Sequence, residues 1–334
     1  MIPILLVGVL ALLALVTQVG ILVIERRYPV RGQAIEVDDA TINLVDIGAD
    51  DPDRPPLLLI HGASSNLEAM RHPLGDLLAA QGHRVLLVDR PGHGWSRRTH
   101  IEDSTPAIQA RMLNQALGKI GVETVIPVVH SWSGALGTRM ALDFPERVAG
   151  LVMLAPVTHP WRGGVGRYNK VVSAPLLGSL LAHTITLPLG LALLDPGARG
   201  VFLPQPMPED FVDRSATALL LRPREFLANA HDLVTLKLAV MEQMQRYGDI
   251  RCPVTVISGE ADRTVFTDIH SRAFAKAVAQ TRLIVLPHLG HMVQNAAPDL
   301  VATEVSRMVA ELGRVPEAAE ALTKRKAPGH RPGL

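Results

Sequence analysis

The chain has 334 residues, 48% of them hydrophobic, a formal net charge of +1 and one cysteine. That length admits one large α/β domain with an insertion, or two domains, and the balanced charge excludes the basic footprint of a nucleic-acid binder. The lone Cys252, ahead of Pro253 and an apolar run, excludes an intramolecular disulfide and reads as a buried thiol.

Residues 2–24, IPILLVGVLALLALVTQVGILVI, carry no charge. A membrane span needs about 20 such residues. A cleaved signal peptide starts with basic residues and has a shorter apolar stretch, and this run has neither feature. The segment 1–25 is therefore predicted to be a retained single-pass anchor held by membrane lipid. Arg26, Arg27 and Arg31 follow it and predict that the rest of the chain faces the cytoplasm.

After the anchor, residues 33–48 alternate around Asp38-Asp39 and predict a hairpin. The apolar runs 57–62, 83–90, 124–130 and 148–156 predict strands buried on both faces, and 66–80, 106–119 and 133–143 have helical spacing. Strands alternating with helices predict an α/β fold with a mostly parallel central sheet flanked by helices. Its first part covers 33–156. In such sheets the chemistry lies at the carboxyl ends of the strands.

The alternation stops over 157–248, which is rich in Pro and Leu. Within it, APLLGSLLAHTITLPLGLALL (174–194) is uncharged and long enough to suggest a second span. Its Pro188, Gly190, His183 and Thr184 favour two shorter helices packed as a lid over an apolar cavity. The α/β pattern resumes over 249–313, with strands at 253–262 and 282–291 and a last helix near 298–313. The basic, Pro- and Gly-rich end, 314–334, reads as a disordered, solvated tail.

The stretch VVHSWSGALG (128–137) offers two serines around Trp132 at a strand-to-helix junction. Cleavage of an acyl bond by serine needs a base for the hydroxyl proton, an acid to orient that base, and donors for the developing oxyanion. A nucleophile on a sharp strand-to-helix turn usually lies in Gly-x-Ser-x-Gly. Neither serine here satisfies that pattern.

Five separate segments resemble the α/β-hydrolase fold superfamily, over about residues 33–313. They are LLLIHGAS, VLLVDRPGHGWS, HSWSGALGTRMALDFPERVAGLVMLAP, VISGEAD and LPHLGH, in the order Ser, Asp, His with an insertion after the sixth core strand. In the resembled pattern the nucleophile stands about fourteen residues before the proline of Pro-Glu-Arg-Val, which lands on Ser131; Ser133 is two off. Val129 and Ser133 then replace the two glycines. Val129, being β-branched, is expected to widen the gap between strand and helix and so to affect the turn.

The resemblance implies His291 as base, with His288 as fallback. It implies Asp262 as the orienting acid. Glu260, two residues earlier and on the same side of an extended strand, is the alternative. The backbone N–H groups of Ala63 and Trp132 are implied as oxyanion donors. His61 is expected to brace their loop, Ser64 to border the substrate, the Trp132 side chain to line the pocket floor, and Asp89 to fix the turn before Pro91.

Relatives with an aspartate nucleophile include haloalkane dehalogenases and epoxide hydrolases; a serine at 131 points away from both. What remains is a serine hydrolase of a small lipophilic carboxylic ester, with a perhydrolase or haloperoxidase relative and a carbon–carbon bond hydrolase as alternatives. A reading of another class is a binding protein whose catalysis Val129 has impaired. No metal-ligand cluster, phosphate loop or dinucleotide fingerprint occurs, so no cofactor or metal is expected.

Overall fold

The computed structural model describes residues 2–326. Its centre is a nine-stranded sheet in the order β1-β2-β4-β3-β6-β7-β8-β9, with a two-residue β5 on β2. The strands are β1 (Gln33–Val37), β2 (Ala40–Ile47), β3 (Leu57–Ile60), β4 (Val85–Val88), β5 (Arg97–Arg98), β6 (Ile126–His130), β7 (Leu151–Leu154), β8 (Val254–Gly259) and β9 (Thr281–Leu286). The hairpin β1–β2 and the β2–β4 pair are antiparallel, and all pairs from β4 to β9 are parallel.

Strands β3, β4, β6, β7 and β8 are fully buried because they face helices on both sides, whereas the edge strand β9 is only half-buried. Leu58, Ile60, Leu86 and Val88 pack with helices α2 (Pro106–Lys119) and α3 (Ser133–Asp143); Leu57, Leu59, Val85 and Leu87 pack on the opposite face. Strand order reverses between β3 and β6: the chain leaves β3 toward β4 and returns to its other side. A crevice opens outside the carboxyl ends of strands at such a switch point. The loops after Ile60 and after His130 both start there.

Residues 66–80 differ from a single helix. They form three short turns, with His72 in extended backbone (φ −105°, ψ 117°) ahead of Pro73. A residue before proline is sterically driven from the helical region.

The insertion is helical, with α4 (Arg167–Val172), α5 (Leu177–Thr184), α6 (Thr186–Phe202) and α7 (Pro223–Gln243) joined by shorter turns. The apolar segment 174–194 is divided between α5 and α6, which are bent 70° apart. After α8 (Ser271–Ala277), the final helix α9 (Pro298–Lys326) runs past the expected boundary at 313. Its continuation EAAEALTKRK is built from residues with high helix propensity, so the expected tail is helical as far as Lys326. Residues 327–334 lie outside the described residues.

The N-terminal helix α1 (Ile2–Arg27) is long and apolar enough to cross a membrane over Pro3–Arg27. Its last turns dock on the insertion. Thr17 Oγ1 donates to the Thr184 carbonyl (3.2 Å), and Ile24 is buried with Leu187, Ala216, Leu219 and Leu221. Beyond them, Glu25 pairs with Arg222 (3.0 Å) and Arg27 with Asp213 (2.8 Å).

Candidate active site

At the end of β6 the chain turns sharply into α3. Ser131 takes φ +56°, a left-handed conformation uncommon for a residue with a side chain. It is held there from both sides. Its N–H donates to the Leu154 carbonyl (3.0 Å), and its carbonyl accepts from Gly134 (2.9 Å) and Val157 (2.9 Å). Such strain persists where surrounding contacts over-determine the backbone, and it projects the hydroxyl from the sheet.

Val129 does not push the helix away. Its side chain is fully buried and fits against Gly137 of α3, where a Cβ would lie 2.8 Å from Val129 Cγ1. The close strand–helix approach usually permitted by a glycine in the turn is here permitted by a glycine one helical turn further on. The expected widening is therefore corrected: the missing side chain at 137 takes up the extra bulk at 129.

His291 follows β9 and reaches back to this turn. Its Nε2 lies 3.0 Å from Ser131 Oγ, and its Nδ1 lies 2.7 Å from Asp262 Oδ2. Asp262 is buried, and its other oxygen accepts the backbone N–H groups of Thr264 (2.8 Å) and Val265 (2.9 Å). One carboxylate oxygen is thus fixed by the loop and the other is left for the imidazole. Glu260 does not share this position. β8 ends at Gly259, so strand alternation stops before it, and Glu260 is exposed. His288 is exposed too, with its carbonyl accepting from Gln205 (2.8 Å).

The loop after β3 passes beside the serine. A Cβ on Gly62 would stand 2.9 Å from Ser131 Cβ, so only glycine allows the approach. Among the described residues, the amides of Ala63 and Trp132 donate to no acceptor within the protein. Two N–H groups without an internal acceptor beside a serine hydroxyl can receive an oxyanion.

Hydrogen bonds hold the loop. His61 Nε2 accepts from the Arg90 amide (3.0 Å), so its Nδ1 carries the proton and donates to the Gly62 carbonyl (2.8 Å). Burial, then Arg90, keeps that ring's pKa well below its ordinary value. Ser133, the other serine, donates to the His61 carbonyl and is fully buried. Ser64 borders the cavity, but its amide and hydroxyl both bond Asn229 of α7 (2.6 and 3.1 Å).

The Trp132 side chain is a correction. It does not form the pocket floor: it turns away from the cavity, buried, donating Nε1–H to the Asp232 carbonyl (3.0 Å) with the Arg90 guanidinium 4.0 Å over its ring. The backbone of Trp132 directly follows Ser131 in the turn, while its side chain packs in the lid–core seam.

That seam holds a buried cluster which the sequence did not disclose. Asp232 of α7 accepts from Arg90 (2.5 Å), Arg98 (2.7 Å), His93 (2.8 Å) and Gln109 (3.0 Å). Burial opposes its charge, but Arg98, Arg90 and His93 outweigh burial and hold the carboxyl well below the usual range. Asp89 is likewise structural, accepting from Leu67, Trp95 and Asn43; burial lifts its pKa to about 6.

Two more residues escaped sequence reading. Gln205 of the insertion donates to the His288 carbonyl and accepts from the Gly290 amide (both 2.8 Å), clamping the loop before His291. His130 donates Nε2–H to the His291 carbonyl (3.2 Å), and burial, then His291, lowers its pKa to about 3.

The serine and histidine open into a cavity of about 830 Å³ under α5 and α6. Leu181, Ile185, Leu189, Leu193, Val201 and Phe226 supply much of its wall. Its lining includes His61, His130 and His291 but no Lys, Arg, Asp or Glu among the described residues.

A family profile described as alpha/beta hydrolase fold matches residues 55–297. The chain is 29% identical over 245 residues to a 2-hydroxy-6-oxononadienedioate/2-hydroxy-6-oxononatrienedioate hydrolase of Paraburkholderia phymatum, covering 71% of this chain and 81% of that protein. It is 30% identical over 123 residues to the bifunctional epoxide hydrolase 2 of Mus musculus, covering 36% and 22%. A thermophilic esterase from Thermogutta terrifontis superposes with a TM-score of 0.66 at 18% identity, over 84% of this chain and all of that one, a likeness of fold.

Proposed function

The chain belongs to the α/β-hydrolase fold family, and we propose that it is a membrane-anchored serine hydrolase cleaving lipophilic carboxylic esters through Ser131, His291 and Asp262. The carrying observation is the continuous chain from hydroxyl to imidazole to carboxylate, opening into an apolar cavity.

His291 Nε2 takes the proton of Ser131 Oγ as the oxygen attacks the ester carbonyl. The carbonyl oxygen becomes an oxyanion and accepts from the N–H groups of Ala63 and Trp132. Asp262 holds the imidazole with Nδ1–H toward itself and stabilises the imidazolium. Collapse breaks the C–O bond, and the imidazolium protonates the departing alkoxide. Water, deprotonated by His291, then attacks the acyl-serine, and Ser131 recovers its proton. α1 is the single-pass anchor, with the folded domain on the cytoplasmic side.

Ser131, where an epoxide-opening relative would need a carboxylate, supports acyl chemistry. A second reading, carbon–carbon bond hydrolysis, draws on the Paraburkholderia relative, whose named compound carries a ketone and two carboxylates and no ester. The cavity wall argues against such a dianion: among the described residues it has no Lys or Arg to balance buried carboxylates.

The test is labelling of membrane-extracted protein with a fluorophosphonate, wild type beside S131A and S133A. Label lost only in S131A is expected. An ester panel follows, in which longer acyl chains should outperform acetate. Retained label in S131A, or a preference for short soluble esters, overturns this reading.

A further inference from the structure

The cavity has an apolar rim. Tyr168, Ile185, Leu189 and Leu193 line it and are also surface residues, 57%, 40%, 53% and 55% exposed. Beside them, Leu176 just ahead of α5, Leu177 and Leu180 on α5 and Leu191 on α6 are exposed without lining it. Soluble monomers rarely show so contiguous an apolar patch. The α5–α6 pair is apolar enough to qualify as a span, yet it is bent by 70° over the pocket.

The position of α1 says what covers this face. The uncharged run of α1 ends at Ile24, and Glu25, Arg26 and Arg27 follow. If that run fills the hydrocarbon layer, its boundary lies near Ile24. The lid grips α1 deeper than that, at Thr17 through Thr184, and at Gly20, where Leu187 would sit 2.7 Å from a Cβ. Seven residues of helix at 1.5 Å each place Thr17 about 10 Å below the boundary. The Thr17 hydroxyl, fully buried, bonds to the lid rather than being left unpaired in lipid.

We propose that α5 and α6 are embedded in the same leaflet as the end of α1, and that the rim formed by Tyr168, Ile185, Leu189 and Leu193 opens into the acyl region of the bilayer. Substrate enters sideways from the membrane, so the substrate class is an ester dissolved in lipid rather than in water. The inference rests on the anchor reading above and deepens the ester reading.

The full chain with Cys252→Ser carries one cysteine at a time, at Leu12, Leu180, Leu191 or Glu123, labelled with an environment-sensitive fluorophore in phosphatidylcholine vesicles. Glu123 is exposed just before β6, at the end of the sheet opposite the cavity. Doxyl-labelled lipid should quench Leu12, Leu180 and Leu191 several-fold and leave Glu123 unquenched. Quenching at Leu12 but not at 180 and 191 overturns the embedded lid while keeping the anchor; no quenching at Leu12 overturns both.

A second measurement uses the L177D/L180D/L191D variant. It should lose at least about tenfold in turnover of a long-chain ester presented in vesicles, since three charges are driven from lipid. Turnover of a water-soluble butyrate ester and fluorophosphonate labelling should be unchanged. Equal turnover of both esters by wild type and variant overturns lateral entry. A wild type that hydrolyses no ester defeats the ester reading, while the quenching data still decide where the lid lies.

Discussion

Two buried carboxylate–imidazole pairs, one at the active site and one at the seam, have nearly the same nitrogen–oxygen distance. Asp262 and His291 are 2.7 Å apart, Asp232 and His93 are 2.8 Å apart, and all four residues are buried. Their remaining partners differ. The second nitrogen of His291 faces a hydroxyl at the edge of a cavity. The Nε2–H of His93 donates to Asp232 with the Arg90 guanidinium 3.1 Å from the same nitrogen, and its Nδ1 meets no partner among the described residues. Asp262 is neutralised by two amides and one ring, whereas Asp232 is saturated by two guanidiniums, an amide side chain and a ring. A carboxylate–imidazole pair becomes chemistry when one valence is left for a substrate. When the remaining nitrogen is buried away from the cavity with no hydroxyl beside it, the pair becomes a rivet, here joining lid helix α7 to the core.

The sharpest way to break this comparison is kinetic. S131A and H291A should each lower kcat/KM for an ester by about 10⁴ or more, and D262N by about 10⁴, with unchanged Tm. H93A should leave kcat per folded molecule within a few-fold. A loss in H93A matching that in H291A, with Tm intact, would erase the distinction.

Stability gives the reciprocal test. D232A leaves Arg90 and Arg98 buried without a counter-charge and should cost about 3–5 kcal/mol, read as a fall in the denaturation midpoint. The surviving folded fraction should still take the fluorophosphonate label. An unchanged midpoint would mean that the cluster holds nothing together.

Val129 and Gly137 test the turn that carries the reactive serine. V129G removes a buried side chain and adds backbone freedom, and should cost about 2–3 kcal/mol without raising the rate per labelled enzyme. G137A should destabilise wild type by clashing with Val129 and cost much less in the V129G background, where the one remaining tight contact is the end of the Leu151 side chain at 3.0 Å. A rise in rate for V129G would show that Val129 strains the turn after all.

The smallest effect is on pH. Folded, the His130 ring stays neutral down to about pH 3; unfolded, it takes a proton near its ordinary pKa of 6.5. The unfolded state therefore binds more protons below that value, and acid favours it. Stability should fall as pH drops from 6.5 toward 3, by at most about 1.4 kcal/mol per unit from this residue. H130N should flatten that slope; an identical slope in H130N would exclude the ring as its source.

Much of the frame was legible in the chain. Buried strands show as continuous apolar runs, helices as 3.6-residue spacing, and the insertion as the place where that alternation stops. Loops that begin at the carboxyl ends of β3, β6, β8 and β9 must converge, because a parallel sheet puts those ends on one edge. The resemblance of their segments to the α/β-hydrolase pattern therefore implied Ser131, Asp262 and His291 as neighbours. The long uncharged run of α1 was equally plain.

What only the tertiary structure decided is pairing across distance. Asp262 rather than Glu260 meets His291 because the chain leaves strand geometry at Gly259, which strand alternation does not foresee. Asn229, Gln205 and Asp232 reach the core from an insertion with no register to the sheet, 165, 85 and 142 residues from Ser64, Gly290 and Arg90. Gly137 compensates for Val129 through a contact between a strand and a helix, and the depth of the lid on α1 follows from Thr17 meeting Thr184. Local periodicity dictates which face of an element is buried. It does not dictate which distant side chain completes a hydrogen bond there, since that depends on how the layers close on one another.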